Sequence, residues 1–114
     1  MPNQPKYPGR HVRMDAPRWE GFGIHSAESA GDRTKELIKV LDYLLWVPGA
    51  QLPERVPPAV LISGLHAAAV ETEKAADAEA SAKRRESLRE KAEAQREMAR
   101  LLQERARALG LPES

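Results

Sequence analysis

His11 and Arg13 are the first residues whose type and spacing suggest a chemistry. They sit in His11-Val12-Arg13-Met14-Asp15, where polar and apolar residues alternate with period two, the pattern of a half-buried strand. Side chains alternate across a strand, so His11, Arg13 and Asp15 are expected outward and Val12 and Met14 inward. An outward guanidinium offers a bidentate fork to O6 and N7 of guanine in the major groove, and His11 can contact a base edge or a phosphate. A second set of groups lies at Asp32-Arg33-Thr34-Lys35. There Asp32 reads as an N-cap, and the Arg33 and Thr34 N–H groups open a helix with bonds free for a phosphate. The side chains of Arg10, Arg33 and Lys35 add charge for the same contact.

Three elements must position these groups. The alternating segment leads into Asp15-Ala16-Pro17, where Asp15 can accept a bond from an orphan N–H and Pro17 suits a first helical turn. Trp19, Phe22, Ala27 and Ala30 then recur at helical spacing, although Gly21 and Gly23 each weaken a helix by about 1 kcal/mol relative to Ala. Gly31 ends this helix, and a second runs from Arg33 to about Val47. With Leu37, Ile38, Val40, Leu41, Tyr43, Leu44, Leu45 and Trp46 it is apolar nearly all round, which predicts burial on several sides.

Strand, helix and helix within residues 10–47 are too little chain to bury a core alone. The chain has no cysteine and no ligand cluster, so the expected partner is a second copy. Val12, Met14, Trp19, Phe22, Leu37, Leu41, Leu44 and Leu45 are the expected dimer core, and a lone strand must find its partner in that copy.

Residues 1–9, MPNQPKYPG, read as a flexible arm. Residues 48–58 hold four prolines and read as a semi-rigid linker. From 59 to 109 there is no proline and only Gly64 interrupts a run of Ala, Glu, Lys and Arg. This predicts one long charged helix, roughly 75 Å at 1.5 Å per residue, followed by a tail at 110–114. Leu61, Leu65, Ala68, Thr72 and Ala75 follow a 4-3-4-3 spacing, as do Leu88, Ala92, Gln95, Ala99, Leu102, Ala106 and Leu109. The two registers do not join, so the segment reads as a weak coiled coil, a solvated helix held by pairs such as Glu79 with Lys83, or a site for a protein partner.

Composition supports a small core with a solvated extension: aromatics are 4% and charged residues 31% of 114 residues. The net charge of +1 hides an uneven distribution. Residues 1–14 carry Lys6, Arg10 and Arg13 with no acid, whereas residues 60–114 hold ten basic and ten acidic side chains. A nucleic-acid surface therefore belongs toward the N-terminus. His11, His25 and His66 are far apart, with no metal-ligand spacing. No phosphate loop and no nucleophile with a base is present, so neither enzyme activity, a metal nor a cofactor is expected. The longest apolar run, Val60 to Val70, is about half a membrane span. No signal-peptide core is evident, and the cytoplasm is the expected location.

Together, HVRMDAPRWEGFGIHSAESAGDRTKELIKVLDYLL resembles a ribbon-helix-helix DNA-binding domain, the class of the Arc and MetJ repressors, in actinobacterial or mobile-element form. The shared features are the alternating strand, the Pro-containing lead into the first helix, the Gly turn and the Asp-Arg-Thr opening of the second. The resemblance covers about a third of the chain. It implies a mainly α homodimer in which a two-stranded ribbon reads bases through His11 and Arg13, with Gly9 at a third position. It also implies phosphate held at Arg33 and Thr34. The expected function is a sequence-specific regulator of transcription binding double-stranded DNA. The alternatives are a plasmid or mobile-element accessory protein, an antitoxin using residues 59–109 for a partner, and a helical assembly protein that binds no DNA.

Overall fold

The computed structural model describes residues 13–114, and every described element is a helix. Helix α1 spans Ala16–Ser29, α2 Arg33–Leu44, α3 Pro58–Ala78 and α4 Ala82–Leu109. The start of α1 follows from its sequence: Asp15 is extended, its carboxylate accepts the Arg18 N–H at 3.0 Å, and proline stands in the first turn. Asp32 does the same for α2, accepting the Lys35 N–H at 2.8 Å.

The ribbon-helix-helix expectation is corrected here. Among the described residues there is no strand; Arg13, Met14 and Asp15 carry no regular structure, and His11 and Val12 lie outside the described residues. Alternation over five residues is a weak signal, and a strand needs a second one to take up its N–H and C=O groups. The described chain offers none. Asp15 serves instead as the helix cap, and Arg13 and Met14 are exposed.

The long helix expected over 59–109 is also corrected. It breaks at Glu79–Ser81, and α3 and α4 pack extensively on each other as a hairpin. The buried faces that meet across it are Leu61, Ile62, Leu65, Ala69, Thr72 and Ala76 on α3 and Ala92, Gln95, Met98, Ala99 and Ala106 on α4; of the expected stripes, Ala75 and Leu109 are instead exposed. Each stripe is too short and too alanine-rich to hold a long coiled coil, but together they close a seam. Arg96 of α4 adds an ion pair with Glu73 of α3.

Helix α1 lies against both members of the hairpin. The tightest cluster joins Leu65, Met98 and Ala99, with Ile24, Leu101 and Leu102 packed on it. Glycine makes this approach possible. A Cβ on Gly64 would stand 2.8 Å from Ile24 Cγ2, and one on Gly21 would stand 2.9 Å from Met98 Cγ. The face of α1 that is buried carries Glu20 and Ser26, whereas Trp19 is exposed. The buried Glu20 accepts a 3.0 Å bond from Gln95 Nε2.

Candidate functional site

Among the described elements helix α2 packs on α1 alone, and most of its apolar surface is left exposed. Leu37, Ile38 and Leu41 are each about half exposed, Leu44 is 60% exposed and Leu45 72%. Only Glu36 among its residues is buried. The expectation of burial on several sides is therefore not met within one chain. Positions 37, 38, 41, 44 and 45 follow the i, i+1, i+4, i+7, i+8 spacing of a single helical face. That face is continued by Trp46 and Val47 at the end of the helix.

Sequence patterning counted Trp46 only among the apolar residues of a buried helix. It is 91% exposed and has φ 59°, the left-handed region, where an L side chain costs about 1–2 kcal/mol. The conformation closes the helix as a Schellman motif. The Val47 N–H donates to Asp42 O at 3.0 Å and the Trp46 N–H to Tyr43 O at 3.3 Å. Glycine is the usual residue at this position, so a tryptophan here is strained and aimed at solvent. The following Pro48-Gly49 marks a helix end in the sequence, but nothing in it reveals the backbone angle at Trp46.

The orientation of α2 is set by a polar knot under Gly31. The Gly31 N–H donates to Ser26 O at 2.7 Å, turning the chain into α2. Glu36, 3% exposed, then reaches back to α1. Its Oε2 accepts from the wholly buried Ser26 hydroxyl at 2.5 Å, and its Oε1 from Ser29 at 2.6 Å. His25 Nδ1 is 2.5 Å from the same Oε1. The Val56 N–H donates to His25 Nε2 at 3.0 Å, so the ring proton sits on Nδ1 and is given to Glu36. Burial pushes the Glu36 carboxyl upward, but Ser26, Ser29 and His25 more than offset it and hold the pKa below its ordinary value. The knot ties α1, α2 and the segment before α3 into one unit.

The other residues named from sequence divide as follows. Arg10, His11 and Val12 lie outside the described residues. Arg13 is exposed at the lead into α1, and Thr34 and Lys35 are exposed at the start of α2, with Lys35 Nζ 4.0 Å from Asp32. Arg33 is committed elsewhere. Its guanidinium lies 4.2 Å from the Trp19 ring centroid, donates to Trp19 O at 2.9 and 3.2 Å, and stands 3.9 Å from Glu20. Gly23 makes room for it, since a Cβ there would sit 2.3 Å from the guanidinium. Trp19 and Phe22 lie beside each other with ring centroids 6.4 Å apart, and Met14 is about half exposed. Of the expected dimer core, Leu37, Leu41, Leu44 and Leu45 thus share the open α2 face, whereas Trp19 and Phe22 belong to α1.

Among the described residues no three His, Cys, Asp or Glu side chains form a metal-binding group, and no helix is long and apolar enough to cross a membrane. No family model, characterised protein or solved structure matches the chain.

Proposed function

We propose that the chain is a self-associating helical protein whose paired copies hold basic N-terminal segments against double-stranded DNA in the cytoplasm, as a regulator of transcription. The observation that carries this reading is the open apolar face of α2. From Leu37 to Val47 every large apolar residue except Val40 is at least 44% exposed, a run of apolar surface of the kind that is buried between partners. A monomer rarely shows a patch so large. A second copy is the occupant that fits, because the face is free of charge along its centre and two copies related by a twofold axis bury it against itself.

DNA binding is supported by charge placement. Arg13 is exposed, and residues 1–14 carry three basic side chains and no acid. The contact proposed is now with this segment and with Thr34 and Lys35, not with a ribbon. Pairing doubles the number of phosphates neutralised, and affinity should fall steeply with salt. The internal commitment of Arg33 favours a second reading, a helical assembly protein with no DNA role.

Leu41→Asp tests the first part: in dilute solution, a charge at the centre of the α2 face should convert the dimer to a monomer in light scattering without loss of helical content. Arg13→Ala tests the second, by DNA-binding anisotropy across a salt series. The dimer should persist while specific binding is lost. DNA affinity that is absent, or flat with salt, leaves the assembly reading; a wild-type chain that is monomeric at high concentration removes both.

A further inference from the structure

The turn between α3 and α4 contains nothing that stops a helix. Ala78-Glu79-Ala80-Ser81-Ala82-Lys83 has no glycine and no proline, and alanine is the best helix former. The chain nevertheless leaves the helix at Glu79 (φ −83°, ψ 126°) and Ser81 (φ −76°, ψ 122°). Two side-chain bonds hold the turn: the Ser81 N–H donates to Glu79 Oε1 at 3.1 Å, and the Arg84 N–H to Ser81 Oγ at 3.4 Å. Glu79 and Lys83, at the i, i+4 spacing and in the favourable order, form no ion pair in this arrangement. The local preference of the turn and its observed shape therefore disagree.

We propose that α4 is an exchangeable element: two copies open at Glu79–Ser81, and each lays its α4 on the α3 and α1 of the other. In the open form residues 58–109 run as one helix of roughly 78 Å. The turn recovers its intrahelical bonds, and Glu79 gains Lys83. Nothing is lost at the seam, because each copy supplies the same partners. Met98 meets Gly21, Gln95 meets Glu20 and Arg96 meets Glu73 across chains instead of within one. The occupant of the groove is thus a second copy of this chain, since only α4 carries those three residues in that order. Closure within one chain wins when dilute, because the tether keeps α4 at high effective concentration. Exchange wins as concentration rises. This mode of pairing is independent of the α2 face.

The chain has no cysteine, so single reporters can be placed cleanly. Glu73→Cys and Arg96→Cys chains, one of them isotopically heavy, are mixed at high concentration and treated with a short bis-maleimide. The expected result is a mixed-mass covalent dimer that grows with concentration. Ala82→Pro is the locking variant. Residue 82 is the first of α4, where proline is accommodated, and Ser81 already has the extended backbone that precedes a proline. In a continuous helix the same proline costs about 3 kcal/mol, so the mixed dimer should fall by about a hundredfold or more. Ser81→Ala, which removes the cap, should raise it. The proposal is overturned if no mixed dimer forms while the doubly substituted chain cross-links internally, or if Ala82→Pro leaves its yield unchanged. Adding Leu41→Asp to both chains separates the two modes: the mixed dimer should survive it.

Discussion

Replacing Glu36 with alanine tests whether the polar knot holds α2 in place. The change removes one carboxylate that accepts from Ser26, Ser29 and His25. Ser26 is wholly buried and His25 largely so, so the hydroxyl and the Nδ1–H lose their acceptor where water reaches them poorly. Each orphaned group costs about 1–3 kcal/mol, and Ser29, half-buried, costs less. The expected loss is about 3 kcal/mol, a large part of the 5–15 kcal/mol typical of a domain. Urea unfolding followed by far-ultraviolet circular dichroism, at one fixed protein concentration, reads it as a lower midpoint with an unchanged slope. A pH series adds a signature that packing loss alone lacks. The Glu36 carboxyl titrates lower in the folded chain than its ordinary value of 4.5, so its contribution is full above 4.5 and is lost as pH falls through the folded value. The gap between wild type and Glu36→Ala should therefore narrow in acid. A gap below about 0.5 kcal/mol at neutral pH, smaller than a typical net hydrogen bond, or an equally wide gap at both ends of the series, would refute the knot as the anchor of α2.

Three further outcomes are expected. Trp46→Gly relieves the left-handed strain, so the dilute chain should be as stable as wild type or about 1 kcal/mol more so, while self-association weakens more than tenfold; unchanged association in sedimentation equilibrium would exclude Trp46 from the interface. Gly64→Ala should cost about 1–3 kcal/mol, because its Cβ meets Ile24 Cγ2 at 2.8 Å, and the paired change Ile24→Ala should recover part of that loss in thermal melts. Arg33→Lys keeps the charge but loses the planar stack on Trp19 and the paired bonds to its carbonyl, so tryptophan fluorescence should shift and stability fall by about 1 kcal/mol.

The starts of α1 and α2 were the most legible part of this chain, because capping is local: Asp15 and Asp32 cap them as expected, whereas α2 stops at Leu44 rather than near Val47. The apolar stripes of residues 61–75 and 88–109 were visible too, but their meaning was not. A stripe states that a face is covered and not by what, and the turn at 79–81 carries no breaker to announce a hairpin. Gly21 and Gly23 looked like weaknesses in α1. They are contact points for Met98 and Arg33, residues 77 and 10 positions away in sequence, which no local rule can supply. The knot was hidden for the same reason: no local pattern relates His25, Ser26 and Ser29 to Glu36, which the turn at Gly31 brings onto them.

Helix α1 therefore decides how the two association surfaces relate. Toward the hairpin it presents Gly21, Ile24 and Glu20, which meet Met98, Gly64 and Gln95. Toward α2 it presents His25, Ser26 and Ser29, which hold Glu36. The first contact is mixed and the second polar, and a helix of 14 residues gives them little room to move independently. If α4 is exchanged, the Glu20–Gln95 bond joins different copies, and each α1 carries its own α2 face with it. The two faces then take a fixed relation across the exchanged pair. An isologous α2 contact within that pair requires the faces to meet; otherwise they stay free for further copies, and the chain builds an assembly larger than a dimer. Light scattering of wild type and Ala82→Pro at matched concentration decides between these. A dimer in both shows that the α2 face suffices for pairing, whereas a larger wild-type species that collapses to a dimer on locking requires both surfaces.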